Sequence, residues 1–186
     1  SDDYHPCQIL ADLMTIVEHK GSLAGLAFAY IGDAANNMAN SYLIGCAMAG
    51  MNVRVAAPAG YEPDRAIVQR AEAIAATTGG SVQVFGEPQA AILGADVVAT
   101  DTWISMGQET EKAKRIADFE GYTIDAELMA QAAPDAIFMH CLPAYRGYEV
   151  SAEVIDGPQS VIWDEAENRL HAQKALMVWL DEQAKS

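Results

Sequence analysis

Two kinds of segment alternate along the whole chain. Short continuous apolar runs predict buried strands, and longer stretches with one apolar face predict helices. The strands are predicted at residues 26–31, 53–57, 82–85, 96–100 and 136–140. The helices are predicted at residues 6–19, 35–49, 63–77, 88–93, 109–119, 125–132 and 165–182. This order is typical of an α/β fold, so we expect a doubly wound, Rossmann-like parallel sheet of about five strands with helices on both faces.

Composition and charge narrow the class of protein. The 186 residues are 51% hydrophobic and 20% charged, and they contain no repeat or low-complexity linker, so we expect one globular domain over residues 1–186. No apolar run approaches the roughly 20 residues of a membrane span, and the N-terminal residues lack the basic and apolar regions of a signal peptide. The net charge of −15 would repel nucleic acid. We therefore expect neither a membrane nor a nucleic-acid partner.

The three cysteines, Cys7, Cys46 and Cys141, are widely spaced and form no C-x-x-C pair. This pattern argues against a disulfide framework and against a zinc site. We expect no metal and a reduced, cytoplasmic setting.

The segment after the fourth predicted strand reads Asp-Thr-Trp-Ile-Ser-Met-Gly, beginning at Asp101. Ligands of parallel α/β sheets bind at the carboxyl ends of the strands. Asp101 is therefore suited to hold a cation in a small-molecule pocket. The alternative is a strand-to-helix connection that carries an incidental acid.

The turn after the first strand, residues 32–37, leads from a glycine into a helix N-terminus, which is a natural place for an anion. It lacks the G-x-G-x-x-G pattern of a dinucleotide site. Asn37 can both donate and accept hydrogen bonds, which suits an amino-acid carboxylate. The alternative is that Asp33 or Asn36 merely caps the helix.

Three further positions carry candidate chemistry. Cys141 follows the fifth strand, where it either faces a pocket or fills the core as a small apolar side chain. His5 and Gln8 share one face of the first helix and could hold a carbonyl and an amide group of one planar ligand, unless they are an exposed cap. Arg169 could serve an anion site, or it could form a surface ion pair.

These motifs together resemble the ornithine carbamoyltransferase family. The motifs that carry the resemblance, in chain order, are His5-Pro6-Cys7-Gln8, the turn at residues 32–37, the stretch 101–107, His140-Cys141-Leu142-Pro143 and Asn168-Arg169-Leu170-His171. The Ser105-Met106-Gly107 element resembles the ornithine-selecting loop, whereas H-P-x-Q and H-C-L-P are shared more widely among carbamoyltransferases. The resemblance covers essentially the whole chain.

The resemblance implies transfer of a carbamoyl group from carbamoyl phosphate to the δ-amine of L-ornithine, giving citrulline and phosphate in arginine metabolism. It implies no cofactor, because carbamoyl phosphate is already activated. The implied catalytic residues are Asp101, Cys141, Arg169 and His5. The implied ornithine-binding residues are Asn37, Asp101, Ser105 and Met106. The implied carbamoyl phosphate-binding residues are His5, Pro6, Cys7, Gln8, Cys141, Leu142 and Arg169.

One part of the family pattern is missing from the sequence. Family members carry a preceding domain with an S-x-R-T-R-like phosphate-binding element, and they assemble as homotrimers or multiples of them. No such element occurs here, so we expect the ornithine-binding half alone, with residues 171–186 forming a C-terminal helix that reaches toward the first domain. The alternatives are a catalytically silent ornithine-binding or interaction module, or a relative acting on acetylornithine, putrescine or aspartate. Cys7 in H-P-C-Q favours the acetylornithine type, and Ser105-Met106-Gly107 favours ornithine more strongly.

Overall fold

A single parallel sheet organises the molecule. The computed structural model describes residues 1–104 and 109–185. Its strands are β1 (Ala27–Ile31), β2 (Asn52–Ala56), β3 (Ser81–Phe85), β4 (Val97–Thr100) and β5 (Ile137–His140). All five lie within a residue or two of the predicted runs. The expected number of strands and their parallel pairing are confirmed.

The strands lie in the order β3-β2-β1-β4-β5, so the chain changes direction across the sheet between β1 and β4. Such a reversal leaves a crevice at the carboxyl ends of the two strands. Tyr30 of β1 is paired with Ala99 of β4, and Thr100 of β4 with His140 of β5. The loops that follow β1, β4 and β5 therefore begin at neighbouring points of one sheet edge.

Eight helices accompany the strands in the described residues. They are α1 (Pro6–Lys20), α2 (Asn37–Met48), α3 (Arg65–Thr78), α4 (Pro88–Ile92), α5 (Lys112–Asp118), α6 (Ala126–Met129), α7 (Ala152–Ile155) and α8 (Ile162–Ala184). A short 3₁₀ turn at Glu109–Glu111 precedes α5. The sequence analysis did not predict α7, and it placed the starts of α2 and α3 two residues early. The side chains of Asn36 and Asp64 cap these two helices, so each begins just after its cap.

Alternate strand residues enter two separate cores. Phe28 and Tyr30 point into a core shared with α1, α2 and α3, whereas Ala29 and Ile31 point into a core shared with α4, α6 and α7. Because every strand residue of β1 is buried, both faces of the sheet are covered. The doubly wound arrangement with helices on both faces is thereby confirmed.

The last helix begins earlier than predicted. It was predicted from residue 165, but the apolar Ile162 opens α8 and is buried in the second core. Asn168 Nδ2 joins α8 to α1 through a hydrogen bond to Thr15 Oγ1 at 2.9 Å. The last buried residue of α8 is Ala172, so the first half of the helix is anchored and residues 173–185 are not buried. Even this 23-residue helix is too polar for a membrane span, and the other described helices are too short or too polar as well.

Candidate functional site

Asp101 lies at the centre of the crevice where β4 ends. Its Oδ1 accepts a hydrogen bond from the Thr102 backbone N–H at 2.7 Å and from the Cys141 thiol at 3.3 Å. Its Oδ2 accepts from Asn36 Nδ2, also at 3.3 Å. Asn36 comes from the turn after β1 and Cys141 from the end of β5. The segments that follow β1, β4 and β5 therefore meet at the Asp101 carboxyl group.

Burial changes the pKa of both the Asp101 carboxyl and the Cys141 thiol. Asp101 is 8% exposed, and its burial raises the pKa of the carboxyl above its ordinary value. Burial, reinforced by the negative charge of Asp101, raises the pKa of the Cys141 thiol well above its usual range. Cys141 is consequently a neutral thiol that donates its hydrogen to Asp101. It is not a thiolate nucleophile.

The side chain of His140 stabilises the loop that follows β5. Its Nδ1 accepts a hydrogen bond from the Leu142 backbone N–H at 2.9 Å, so the proton of the neutral ring lies on Nε2, which faces Glu149 Oε1 at 3.3 Å. Both His140 and Glu149 are buried. Leu142 has φ 55°, a conformation that residues with a Cβ rarely adopt and that is often found at functional sites. The loop that presents Cys141 is therefore held by its neighbours.

One atom each of Asp101, His140 and Cys141 lies within 4.8 Å of the other two, a spacing that a metal ion could bridge. Both ring nitrogens of His140, however, already have hydrogen-bond partners. The cluster thus has a complete hydrogen-bonding role without a metal, and we assign none to it.

A second group of polar side chains lies between the start of α1 and α8. Gln8 is buried, and its Oε1 accepts a hydrogen bond from Arg169 Nη1 at 2.5 Å. His5, the residue before α1, is half-buried and lies within electrostatic reach of both Arg169 and Asp101. Burial, followed by the charge of Arg169, lowers the pKa of His5, so its ring is neutral at pH 7. This group therefore adjoins the Asp101 crevice.

Two buried acids complete the second group, and the sequence analysis did not identify either. Gln8 Nε2 donates to Asp12 Oδ1 at 2.8 Å and to Glu165 Oε1 at 3.3 Å. Glu165 Oε2 in turn accepts from the His140 backbone N–H at 2.8 Å. Asp12 lies four residues after Gln8, and Glu165 lies four residues before Arg169, so the helical i, i+4 spacing was the signal that could have found them.

A buried ion pair closes the other side of the crevice. Arg115 of α5 donates from Nη1 to Asp33 Oδ2 at 2.7 Å and to the Trp103 carbonyl at 2.9 Å. Trp103 stacks on Phe119 with ring centroids 5.2 Å apart. Arg115 was not identified from the sequence because its position in a short amphipathic stretch gives no sign of a partner 82 residues away.

Three of the predicted site residues that the structure describes, Asn37, Pro6 and Cys7, make no side-chain hydrogen bond with either group. Asn37 is the first residue of α2, and its Nδ2 donates to the Ser1 carbonyl at 2.9 Å, while Asn36 makes the contact with Asp101. Pro6 is exposed and Cys7 half-buried at the start of α1. Ser105 and Met106 lie outside the described residues. The other predicted site residues, His5, Gln8, Asp101, Cys141, Leu142 and Arg169, lie in the two adjoining groups.

Comparison with known proteins gives a consistent result. Residues 24–180 match the family model described as "Aspartate/ornithine carbamoyltransferase, Asp/Orn binding domain". The ornithine carbamoyltransferase of Clavibacter sepedonicus is 67% identical over 180 residues, which cover 97% of this chain and 59% of the relative. That of Renibacterium salmoninarum is 66% identical over 184 residues, covering 99% of this chain and 59% of the relative. The chain thus spans about three-fifths of the length of these relatives.

Solved structures agree with the sequence relatives. Ornithine carbamoyltransferase from Pyrococcus furiosus superposes with a TM-score of 0.91 at 51% identity, over 95% of this chain and 56% of that one. An N-acetyl-L-ornithine transcarbamylase superposes with a TM-score of 0.81 at 34% identity, over 94% of this chain and 55% of that one. The similarity to the ornithine enzyme is therefore the greater of the two.

Proposed function

Since this chain belongs to the aspartate/ornithine carbamoyltransferase family, we propose that it supplies the ornithine-binding part of an ornithine carbamoyltransferase. The reaction transfers the carbamoyl group of carbamoyl phosphate to the δ-amine of L-ornithine, and its products are L-citrulline and phosphate. The names of relatives at 66–67% identity support ornithine as the acceptor rather than acetylornithine, putrescine or aspartate.

The observation that carries this proposal is the Asp101 carboxyl at the meeting point of three strand ends. Ornithine has two ammonium groups and one carboxylate, so it carries a net positive charge near neutral pH. A carboxylate in a crevice of low dielectric attracts an ammonium more strongly than one in water does. Asp101 would therefore bind the α-ammonium of ornithine, with Asn37, Ser105 and Met106 as further ornithine-binding residues.

The chemistry of the proposed step requires a neutral nucleophile. The δ-ammonium must lose a proton before its nitrogen can attack the carbamoyl carbon. A new N–C bond then forms and the C–O bond to phosphate breaks. Phosphate leaves with the electron pair and takes up the proton that the attacking nitrogen releases. The thiol of Cys141, hydrogen-bonded to Asp101, lies where it can orient the amine. Holding both reactants in one crevice supplies much of the acceleration.

The carbamoyl side of the site is proposed to lie at the start of α1. The neutral His5 ring and the Arg169 guanidinium are hydrogen-bond donors suited to the negative charge that develops on the carbamoyl oxygen. Gln8, Pro6, Cys7, Cys141 and Leu142 would surround the same group. The sequence contains no S-x-R-T-R-like phosphate-binding element, so we propose that another polypeptide segment supplies the groups that bind the phosphate.

The exposed end of α8 fits such a segment. Five large apolar side chains from Leu170 onward are more than half exposed: Leu170, Met177, Val178, Trp179 and Leu180. We propose that residues 171–186 pack against the carbamoyl phosphate domain of the complete enzyme, which would form homotrimers or multiples of them. We also propose a cytoplasmic location, since Cys7, Cys46 and Cys141 are free thiols.

Isothermal titration calorimetry of the purified chain tests the proposal. L-Ornithine should bind, whereas acetylornithine, which lacks the α-ammonium, should bind at least about tenfold more weakly. Asp101→Asn should abolish ornithine binding, and the exposed Asp135→Asn should leave it unchanged. The titration is then repeated with an added carbamoyl phosphate domain and carbamoyl phosphate. Heat from turnover would identify the chain as part of an enzyme, whereas binding without turnover would identify a binding module. Equal affinity for acetylornithine, or unchanged binding in Asp101→Asn, would contradict the proposal.

A further inference from the structure

Asp12 and Glu165 form a buried pair of carboxyl groups behind the start of α1. We propose that they are positioning residues that share one proton, carried by Glu165 and donated to Asp12, and that this protonation state fixes the orientation of the Gln8 amide and its contact with Arg169. The arrangement of the side chains stands by itself. Only the statement that the Gln8 amide faces a carbamoyl group rests on the proposed function.

The hydrogen bonds of the four carboxyl oxygens bring the two acids together. Asp12 Oδ1 and Glu165 Oε1 each accept from Gln8 Nε2, at 2.8 and 3.3 Å, so the two carboxyl groups meet at one nitrogen. Glu165 Oε2 accepts from the His140 backbone N–H at 2.8 Å. Asp12 Oδ2 is buried and accepts no hydrogen bond of regular geometry among the described residues, so it is the oxygen left free to accept one.

Two donors for Asp12 lie beside it. Its carboxyl interacts directly with both Glu165 and the Tyr42 hydroxyl. Burial raises the pKa of Tyr42 well above its usual range, so the hydroxyl keeps its proton and is a donor for Asp12 Oδ2. The contact between the two acids needs a proton on one of them, and Glu165 carries it because its pKa is the higher of the two.

The electrostatic surroundings disfavour two carboxylates. Asp12 and Glu165 are each 1% exposed. The ionisable groups that face the pair are Arg169 on α8, Tyr42 and Cys46 on α2, and Asp101 and Cys141 at the strand ends. Arg169 is the only cation in that set, and Asp101 adds a third buried acid. Burial raises the pKa of Asp12 to about 6 and raises the pKa of Glu165 well above its usual range.

The shared proton matters because Gln8 is held at both ends. Its amide nitrogen donates to the two acids and its amide oxygen accepts from Arg169, so the oxygen and nitrogen cannot exchange places without losing all three bonds. Two facing carboxylates would repel each other and separate, since like charges at short range in a low dielectric cannot both persist. The pair in its singly protonated form therefore keeps the Gln8 amide oriented so that its oxygen accepts the hydrogen bond from Arg169.

NMR of the ligand-free chain tests the inference without reference to catalysis. With carbon-13 labelled aspartate and glutamate, the pair should titrate with an apparent pKa of 6 or above. The side-chain resonances of Gln8 and Arg169 should shift with the same midpoint, as expected for one coupled system. Because no substrate is present, this result is independent of whether the chain binds ornithine.

Two conservative variants separate positioning from simple packing. Glu165→Gln keeps an acceptor for the His140 N–H and places an N–H donor where the shared proton would be, and Gln8 keeps its shorter bond to Asp12. It should leave the Gln8 and Arg169 resonances nearly as they are at neutral pH and reduce their pH dependence. Asp12→Asn offers one acceptor oxygen where Gln8 and Tyr42 need two, so it should shift those resonances at every pH. Asp135→Asn, an exposed change, should alter nothing.

Stability gives a second readout. Between about pH 4 and pH 6 the folded chain keeps protons on Asp12 and Glu165 that the unfolded chain has released, so the free energy of unfolding should fall as the pH rises through this window. Glu165→Gln should make that slope shallower. The inference is wrong if both acids of the unmodified chain are ionised below pH 5, or if Glu165→Gln disturbs Gln8 and Arg169 as much as Asp12→Asn does.

Discussion

Arg115 Nη1 lies 2.7 Å from Asp33 Oδ2, and this buried ion pair joins the turn after β1 to helix α5. The same guanidinium donates to the carbonyl of Trp103, just beyond the end of β4. One side chain thus ties together the two segments that border the undescribed residues 105–108. The geometry of this side of the crevice depends on the contact.

Replacing Arg115 with alanine should therefore destabilise the fold. It leaves the carboxylate of Asp33 buried without its partner, a change that costs roughly 3 kcal/mol or more. Urea unfolding followed by circular dichroism measures the difference. The control is Arg146→Ala, which removes an exposed ion pair with Asp156 and should have a small effect. Equal losses in the two variants would contradict the prediction.

Ornithine binding should weaken in acid. Because burial raises the pKa of Asp101, its carboxyl becomes neutral at a higher pH than an exposed aspartate does. An ammonium binds the ionised form, so below that pKa the affinity should fall by about tenfold per pH unit, and above it the affinity should be constant. Calorimetry from pH 4 to 8 measures this profile. A profile that stays flat down to pH 4 would show that Asp101 does not face the ammonium.

Cys141 should react slowly with alkylating reagents. Its thiolate is the reactive form, and both burial and the neighbouring Asp101 raise the pKa of the thiol. At pH 8 iodoacetamide should modify Cys141 at least about tenfold more slowly than it modifies glutathione. Asp101→Asn removes a nearby negative charge and should increase the rate, as mass spectrometry of the Cys141 peptide would show. A faster reaction in the unmodified chain would refute the neutral thiol.

The two halves of α8 should differ in amide exchange. Residues 162–172 pack on α1 and the strands, whereas no residue from 173 to 185 is buried. Hydrogen–deuterium exchange should therefore be slow in the first half and fast in the second. Adding the carbamoyl phosphate domain should slow exchange in the second half. Uniform protection of the whole helix in a monomer would contradict the proposed role of residues 171–186.

The purified chain alone should make no detectable citrulline from ornithine and carbamoyl phosphate, because its sequence has no S-x-R-T-R-like phosphate-binding element. Mixing it with a carbamoyl phosphate domain should restore turnover. A colorimetric citrulline assay measures both conditions. Robust turnover by the chain alone, lost in Cys141→Ala or Asp101→Ala, would overturn this prediction.

Sequence patterns predicted the architecture well because strand burial leaves a strong local signal. The runs at β1 and β4 are continuous apolar segments, and the end of the fourth run correctly placed Asp101 at the carboxyl end of a strand. Local patterns also left open whether Asp33 or Asn36 caps α2. In the structure Asn36 caps the helix, whereas Asp33 forms a buried ion pair with Arg115.

The buried acids could not be predicted in the same way. Asp12 lies on a helix whose other residues predict an ordinary amphipathic face, and an aspartate there is usually solvated. Its burial depends on Gln8 and Glu165, and Glu165 lies on the last helix of the chain. Single-sequence periodicity reports which face of a helix is apolar, but it carries no information on pairing between elements so far apart.

The hydrogen bond between Gln8 and Arg169 joins residues that are 161 positions apart in the chain. During synthesis Gln8 therefore leaves the ribosome long before the side chain that fixes its amide. Asn36, Asp101 and Cys141 all precede α8 in the chain, whereas the contacts of the Gln8 amide need Glu165 and Arg169 from α8. An incomplete chain that ends before α8 would thus leave the Gln8 amide oxygen without its donor.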